Sequence, residues 1–312
     1  MAGAAAGPRD HDVGLGPPDD RHQGWAVAGL LAIALVWGST FSAVQHAVAA
    51  MPTADFLAIR FTIAAAIMVA LRPSCLRRVR GVTLRHGVPL GTLLGTAYLA
   101  QAVGLERTTP GVSGILTGLL VVAAPLVAAA TVGTPITGRA WAAVGLGVLG
   151  LGALAAWGGG LGTGEGFTLL AVAVLAGYLV ALARVSERHD LWTLTVVQLL
   201  TAATLLAVLA APGGITAPPD LGVWGDVLLA AVLATAGAYL VQTWAQRRLS
   251  PARVGVLLAP EPAFAVLVAV LVAGEVLTWP LVLAGALVVV AMVVAELGTG
   301  PEDGVGRDPR GG

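Results

Sequence analysis

Ten charge-poor apolar runs follow one another along the chain, near residues 25–46, 54–71, 87–105, 111–132, 139–157, 166–185, 191–211, 222–245, 251–273 and 279–297. At the ~1.5 Å rise of an α-helix, each is long enough to cross the ~30 Å hydrocarbon core of a bilayer. No water is available there to pair with backbone N–H and C=O groups, so a spanning segment must satisfy them internally. The pattern predicts an all-α polytopic membrane protein of ten transmembrane helices. The connections are short, and none has the composition of a soluble domain. The flanking stretches 1–24 and 298–312 are rich in Gly, Pro and charge and read as disordered cytoplasmic tails. Ala47-Val48-Ala49 has the look of a signal-peptide cleavage site. With nine further runs downstream, that match is taken as chance.

Charge placement orients the bundle. All 17 basic residues are arginine, and 15 of them fall in the two tails and in the loops on the tail side. The loops of the other side hold Arg107, and Arg60 lies within the second run. Basic residues stay on the cytoplasmic side, so both termini are expected there, in the cytoplasmic membrane. The lack of lysine excludes a Walker-A ATPase site and a Schiff-base cofactor. A formal net charge of zero gives no reason to expect a nucleic-acid partner. One cysteine, Cys75, excludes an intrachain disulfide. The five histidines are scattered through tails and run ends, without metal-ligand spacing, and no cofactor or metal is expected. The expected partners are the lipid bilayer and a small-molecule substrate; a homodimer is left open.

The chain also repeats itself. Arg107-Thr108-Thr109-Pro110 matches Arg248-Leu249-Ser250-Pro251, and Thr137 matches Thr278, at an offset of 141. Earlier in the halves, Gly38 pairs with Gly177 and Pro73 with Pro212 at an offset of 139. The division is a first repeat at 25–157 and a second at 158–297, each of five helices. An odd number of spans per half inverts one half relative to the other, and inverted repeats place a binding site at their interface near the midplane.

Polar residues deep in such helices are the candidates for function. Glu261 stands between Pro260 and Pro262, roughly 15 Å into the ninth run at helical rise. The prolines remove the amide partners of the Val256 and Leu258 carbonyls and predict a break. A carboxyl that is alternately dry and hydrated changes its proton affinity, which is what proton coupling requires. The alternative is a carboxyl permanently hydrogen-bonded at a bent helix. Arg60 would bind a substrate carboxylate, pair with Glu261, or be a structural residue held by nearby Asp55. Trp37, Ser39, Tyr98, Gln198 and Gln242 lie deep in runs of both halves and form a candidate substrate-binding lining. Gln101, Tyr178 and Tyr239 are further polar groups, and inter-helix glue is an equally ordinary role for any of them. Gly91-xxx-Gly95 and Gly114-xxx-Gly118 read as packing motifs. Glu275 and Glu296 read as solvated residues at run ends.

Four stretches carry a family resemblance: VWGSTF at 36–41 with Arg60 downstream, TTPGVSGILTGLLVVAAPL at 108–126, Asp190 followed by Gln198, and LLAPEPAFAVLVAVLVAGEVLT at 257–278. Over residues 25–297 the chain resembles the EamA-type ten-helix permeases of the drug/metabolite transporter superfamily. The resemblance implies export, sometimes import, of small metabolites such as amino acids, or of drugs, by alternating access. The chain departs from the family in one place. Where family members often carry Gly-Glu between the fourth and fifth runs, it reads Val132-Gly133-Thr134-Pro135.

The sequence therefore reads as a secondary transporter of small organic, amino-acid-like metabolites, acting as an exporter and not as an enzyme. The alternatives are a broad-specificity drug exporter and, further off, a membrane-embedded enzyme. The last would be expected to show paired acids, a Ser–His pair or a metal set. A reporter fused after Gly298 is expected to be active only on the cytoplasmic side; activity only outside overturns the orientation.

Overall fold

A computed structural model describes residues 20–157, 161–246, 248–249 and 251–297. Apart from residues 20–24, the expected tails lie outside the described residues. The ten runs fold as ten helical spans, with no strand among the described residues. The first three are α1 (Asp20–Ala50), α2 (Thr53–Leu71) and α3 (Gly81–Leu105). The fourth is divided into α4 (Pro110–Gly118) and α5 (Leu120–Val132). Then come α6 (Gly138–Trp157), α7 (Thr163–Ser186) and α8 (Leu191–Ala210). The eighth span joins α9 (Leu221–Leu228), a π-helical stretch (Leu229–Gly237) and α10 (Ala238–Gln246). The ninth is α11 (Pro251–Leu258) and α12 (Glu261–Val272), and the tenth is α13 (Trp279–Glu296).

The helix starts follow local chemistry. Asp190 and Asp220 accept backbone bonds from Thr193 and Val223 at the N-termini of α8 and α9. Thr109 does the same for Val112 at α4, with Pro110 in the first turn where its missing N–H costs nothing. The break in the ninth span falls at Ala259–Pro260, just after the Val256 and Leu258 carbonyls that Pro260 and Pro262 deprive of partners. The fourth span breaks at Leu119, which is Pro260 minus the repeat offset, although no proline stands there. Past each of these spans, Gly133 and Gly274 turn the chain with φ of +77° and +68°. Pro89 is accommodated inside α3 without a break.

Small residues set the helix packing. In hydrocarbon no hydrophobic drive pulls helices together, so close backbone approach supplies dispersion contact instead. Along α3, Gly87, Gly91 and Gly95 meet Val197, Gln198–Thr201 and Ala202–Leu205 of α8; a Cβ on Gly91 would lie 2.5 Å from the Gln198 carbonyl oxygen. Gly38 of α1 and Gly114 of α4 both close on Ala265 of α12, and a Cβ on Gly38 would lie 2.7 Å from the Ala265 nitrogen. The GxxxG pairs are thus seams, as expected from their spacing. The largest core cluster gathers Phe56, Phe61 and Met68 of α2 with Leu105, Leu199 and Leu206. Trp25, Trp141 and Trp279 sit exposed at helix ends, as an aromatic belt requires.

Most helices pack chiefly against helices of the other half. α3 lies on α7 and α8, α2 on α8, α1 on α12 and on the eighth span, α4 on α12, and α6 on α13. Gly91→Val would force a branched side chain into the α3–α8 seam. It is expected to destabilise the protein by about 1–3 kcal/mol, the usual cost of overpacking, read as a lower unfolding temperature in detergent. A wild-type melting curve would show that the seam is not close-packed.

Candidate functional site

Glu261 opens the first turn of α12, where a carboxylate is favoured by the helix dipole. It is half-buried, and among the described residues it has no hydrogen-bond or ion-pair partner. Beside it, Ala259 N–H bonds to Gly255 O at 3.0 Å and Phe264 N–H to Pro260 O at 3.0 Å. The three stretches VWGSTF, TTPGVSGIL and APEPAFA meet here. Gly38, Gly114 and Ala265 form the close approach already described, and Gly118 packs on Pro262. A carboxyl permanently bonded at the bend is therefore not what the structure contains.

Arg60 does not pair with Glu261. It is 3% exposed and makes no ion pair among the described residues. Its guanidinium lies 4.7 Å from the Tyr98 ring centroid and 5.6 Å from that of Phe61. It donates long bonds of 3.3 and 3.4 Å to Thr235 Oγ1 in the π-helical stretch. Asp55, the expected stabiliser, instead accepts the Thr216 N–H at 2.8 Å. The buried cation is held by π faces and a hydroxyl.

The expected lining divides into two neighbourhoods. Trp37 donates its indole N–H to Ala234 O at 2.8 Å and packs against the same buried cluster as Leu257 and Leu258. Ser39 bonds back to Val36 O at 2.7 Å and is half-buried. Gln242 is half-buried on α10. On the other side, Tyr98 stacks edge-on with Phe61 and covers Arg60. Gln198 is 2% exposed; its Oε1 accepts from Tyr178 at 2.8 Å, and its Nε2 has no partner among the described residues. Trp192 and Tyr239 pack edge to face in the same cluster as Tyr98. Gln101 is inter-helix glue, donating to Thr117 Oγ1 at 3.1 Å.

Four features escaped sequence reasoning. The π-helical stretch has no local signature. Glu275 is not a solvated loop residue: its carboxylate accepts from Thr109 Oγ1 at 2.5 Å and from Gly111 N–H at 2.9 Å. Glu296 is half-buried, with its carboxylate placed where a Cβ on Gly255 would be. His86 and His189, far apart in sequence, come within 2.8 Å. Among the described residues no group of three His, Cys, Asp or Glu could hold a metal.

Ten helices long and apolar enough to cross a membrane, two of them broken, define a multi-pass membrane protein. The EamA-like transporter family model matches the chain twice, at residues 24–155 and 162–296, and the chain belongs to that family. An uncharacterized transporter of Archaeoglobus fulgidus is 28% identical over 278 residues, covering 88% of this chain and 86% of its own length. A solved crystal structure shares the fold, with a TM-score of 0.63 at 20% identity over 88% of this chain and 97% of that one.

Asp190, just before the seventh span, both caps α8 and meets Arg72 at 3.2 Å. Partial burial opposes its charge, but the Thr193 hydroxyl and Arg72 outweigh that and hold it below the usual carboxylate range. A lowered folded pKa contributes stability at neutral pH that is lost as pH falls through it. Asp190→Ala is expected to cost about 1 kcal/mol at pH 7, with the deficit narrowing in acid. A deficit that stays constant in unfolding midpoints from pH 7 to pH 3 would contradict this.

Proposed function

We propose that the chain is a secondary transporter of small organic solutes, amino-acid-like or related, working by alternating access between two inverted five-helix halves. The proposed bounds are 25–157 and 158–297, in the cytoplasmic membrane with both termini cytoplasmic. The inverted arrangement is supported by the double family match, by breaks at equivalent positions, and by helix neighbours that exchange when each span is advanced by five. The orientation is supported by the arginine asymmetry. Export is the direction the family resemblance implies.

The observation that carries the reading is Glu261, an acid at the helix break without a partner among the described residues. An uncompensated carboxyl within a membrane domain is costly and is retained where a proton or a charged solute uses it. Arg60 adds a buried cation without an acid. Two separate charges of opposite sign suit a solute bearing both an amine and a carboxylate. Tyr98, Gln198, Trp37, Ser39 and Gln242 would line its route.

Glu261→Gln keeps the shape of the side chain and removes the exchangeable proton. The variant is expected to fold and insert, yet in proteoliposomes its amino-acid flux no longer responds to a pH gradient. Wild-type pH-driven flux in Glu261→Gln would overturn the coupling role. Flux confined to hydrophobic drugs would favour the drug-exporter reading.

A further inference from the structure

The bond between Glu275 and α4 crosses from one half to the other. α4 begins after three spans, so this contact lies on the face opposite the termini. Its geometry is built from several parts. Gly274, at φ +68°, turns the chain after α12, and the Glu275 N–H bonds back to Ala269 O at 3.0 Å, aiming the side chain at α4. Pro110 offers no N–H, so Gly111 supplies the amide that one carboxylate oxygen takes. A Cβ on Gly111 would lie 2.7 Å from that carboxylate, so only glycine admits it. Thr109 joins the two groups, donating its hydroxyl to Glu275 while accepting from Val112 N. The result is a carboxylate at a helix N-terminus with two charge-assisted bonds.

The equivalent place on the terminal face keeps the turn, a hydroxyl residue type and the proline, as Ser250 and Pro251, but lacks the acid and the glycine. Subtracting 141 from Glu275 gives Thr134, and Gly274 maps to Gly133, which has the same left-handed turn at φ +77°. Gly111 maps to Ala252, and Thr134 is exposed and uncharged. The packing is asymmetric in the same sense. Seven residues of α4 are buried, from Pro110 to Gly118, whereas α5, on the terminal side of the break, buries Val122. Gly38 is closed on by Phe264 and Ala265, while its counterpart Gly177 has no such neighbour within 4 Å.

We propose that Glu275 is a latch that holds the face opposite the termini shut, and that the missing acid at position 134 biases the transporter toward the state closed on that face. The inference rests on the alternating-access reading, because a latch matters only where both faces open in turn. In that cycle, the Glu275 contacts break whenever the opposite face opens.

The test uses the full chain in lipid nanodiscs, with Cys75 replaced by serine and spin labels on cysteines at Arg107 and Val276, which flank the latch. The wild type is expected to give one short distance. Glu275→Gln loses the charge and one of the two acceptor oxygens, so Thr109 and Gly111 can no longer both donate to it, and should add a longer distance, raising the open-to-closed ratio roughly tenfold. Gly111→Ala pushes the carboxylate off the amide while keeping the acid and its charge in the chain, and serves as a second probe should the first variant misfold. Thr134→Glu with Ala252→Gly supplies the missing latch on the terminal face and should raise the same long distance. Unchanged distances in Glu275→Gln and Gly111→Ala overturn the latch, and no response to the Thr134→Glu pair overturns the cause given for the bias. Distances that shift in a protein without solute flux would retire the transport reading and keep the latch; flux with unmoved distances would do the reverse.

Discussion

Three backbones come together at Ala265, and the site depends on that approach. Gly38 of α1 and Gly114 of α4 press on the same alanine of α12, one turn past Glu261. Lipid tails are as apolar as leucine, so what holds these helices is close contact between small residues rather than exclusion from water. The prolines beside Glu261 leave the ninth span divided just where the three helices meet. A rigid seam on one side of a break and looser packing on the other is an arrangement in which half a span can move while the other half stays.

Polar groups in the rest of the membrane domain are mostly tied off. Ser39, Thr40, Thr92, Thr117, Thr131, Thr201 and Thr204 bond to carbonyls of their own helices. Trp37 and Trp192 donate to carbonyls of other spans, at Ala234 and Met68. Against that background the exceptions among the described residues include the Glu261 carboxyl, the Arg60 guanidinium facing π surfaces, the Gln198 amide nitrogen and the Ser42 hydroxyl. An unsatisfied polar group is expensive in hydrocarbon, which is why the proposed solute route is drawn past the first three of these groups. Glu275 shows the contrary case, an acid at the surface that is fully used.

Much of this was legible in the residues because it depends on local composition or spacing. Ten apolar runs dictate ten helices, since hydrocarbon admits no other way to pair the backbone. Pro260 and Pro262 announce the break in the ninth span, and Gly91-xxx-Gly95 announces a seam. The break at Leu119 carries no proline and could be located only by the repeat offset.

What the sequence determined by itself is the fold class, the depth of Glu261, and the residue types at each level of the membrane, all of which follow from position along a helix of fixed rise. What the tertiary structure decided is which groups meet. Rotation of each helix about its axis turns Arg60 toward Tyr98 and away from Glu261, gives Asp55 to Thr216, and brings His86 to His189. It also carries Glu275 across to Thr109, 166 residues away in sequence. Nearly uniform apolar composition leaves almost no periodic signal to set that rotation. It is settled by steric fit between distant glycines and the side chains they admit, a property of pairs of helices and of neither sequence alone.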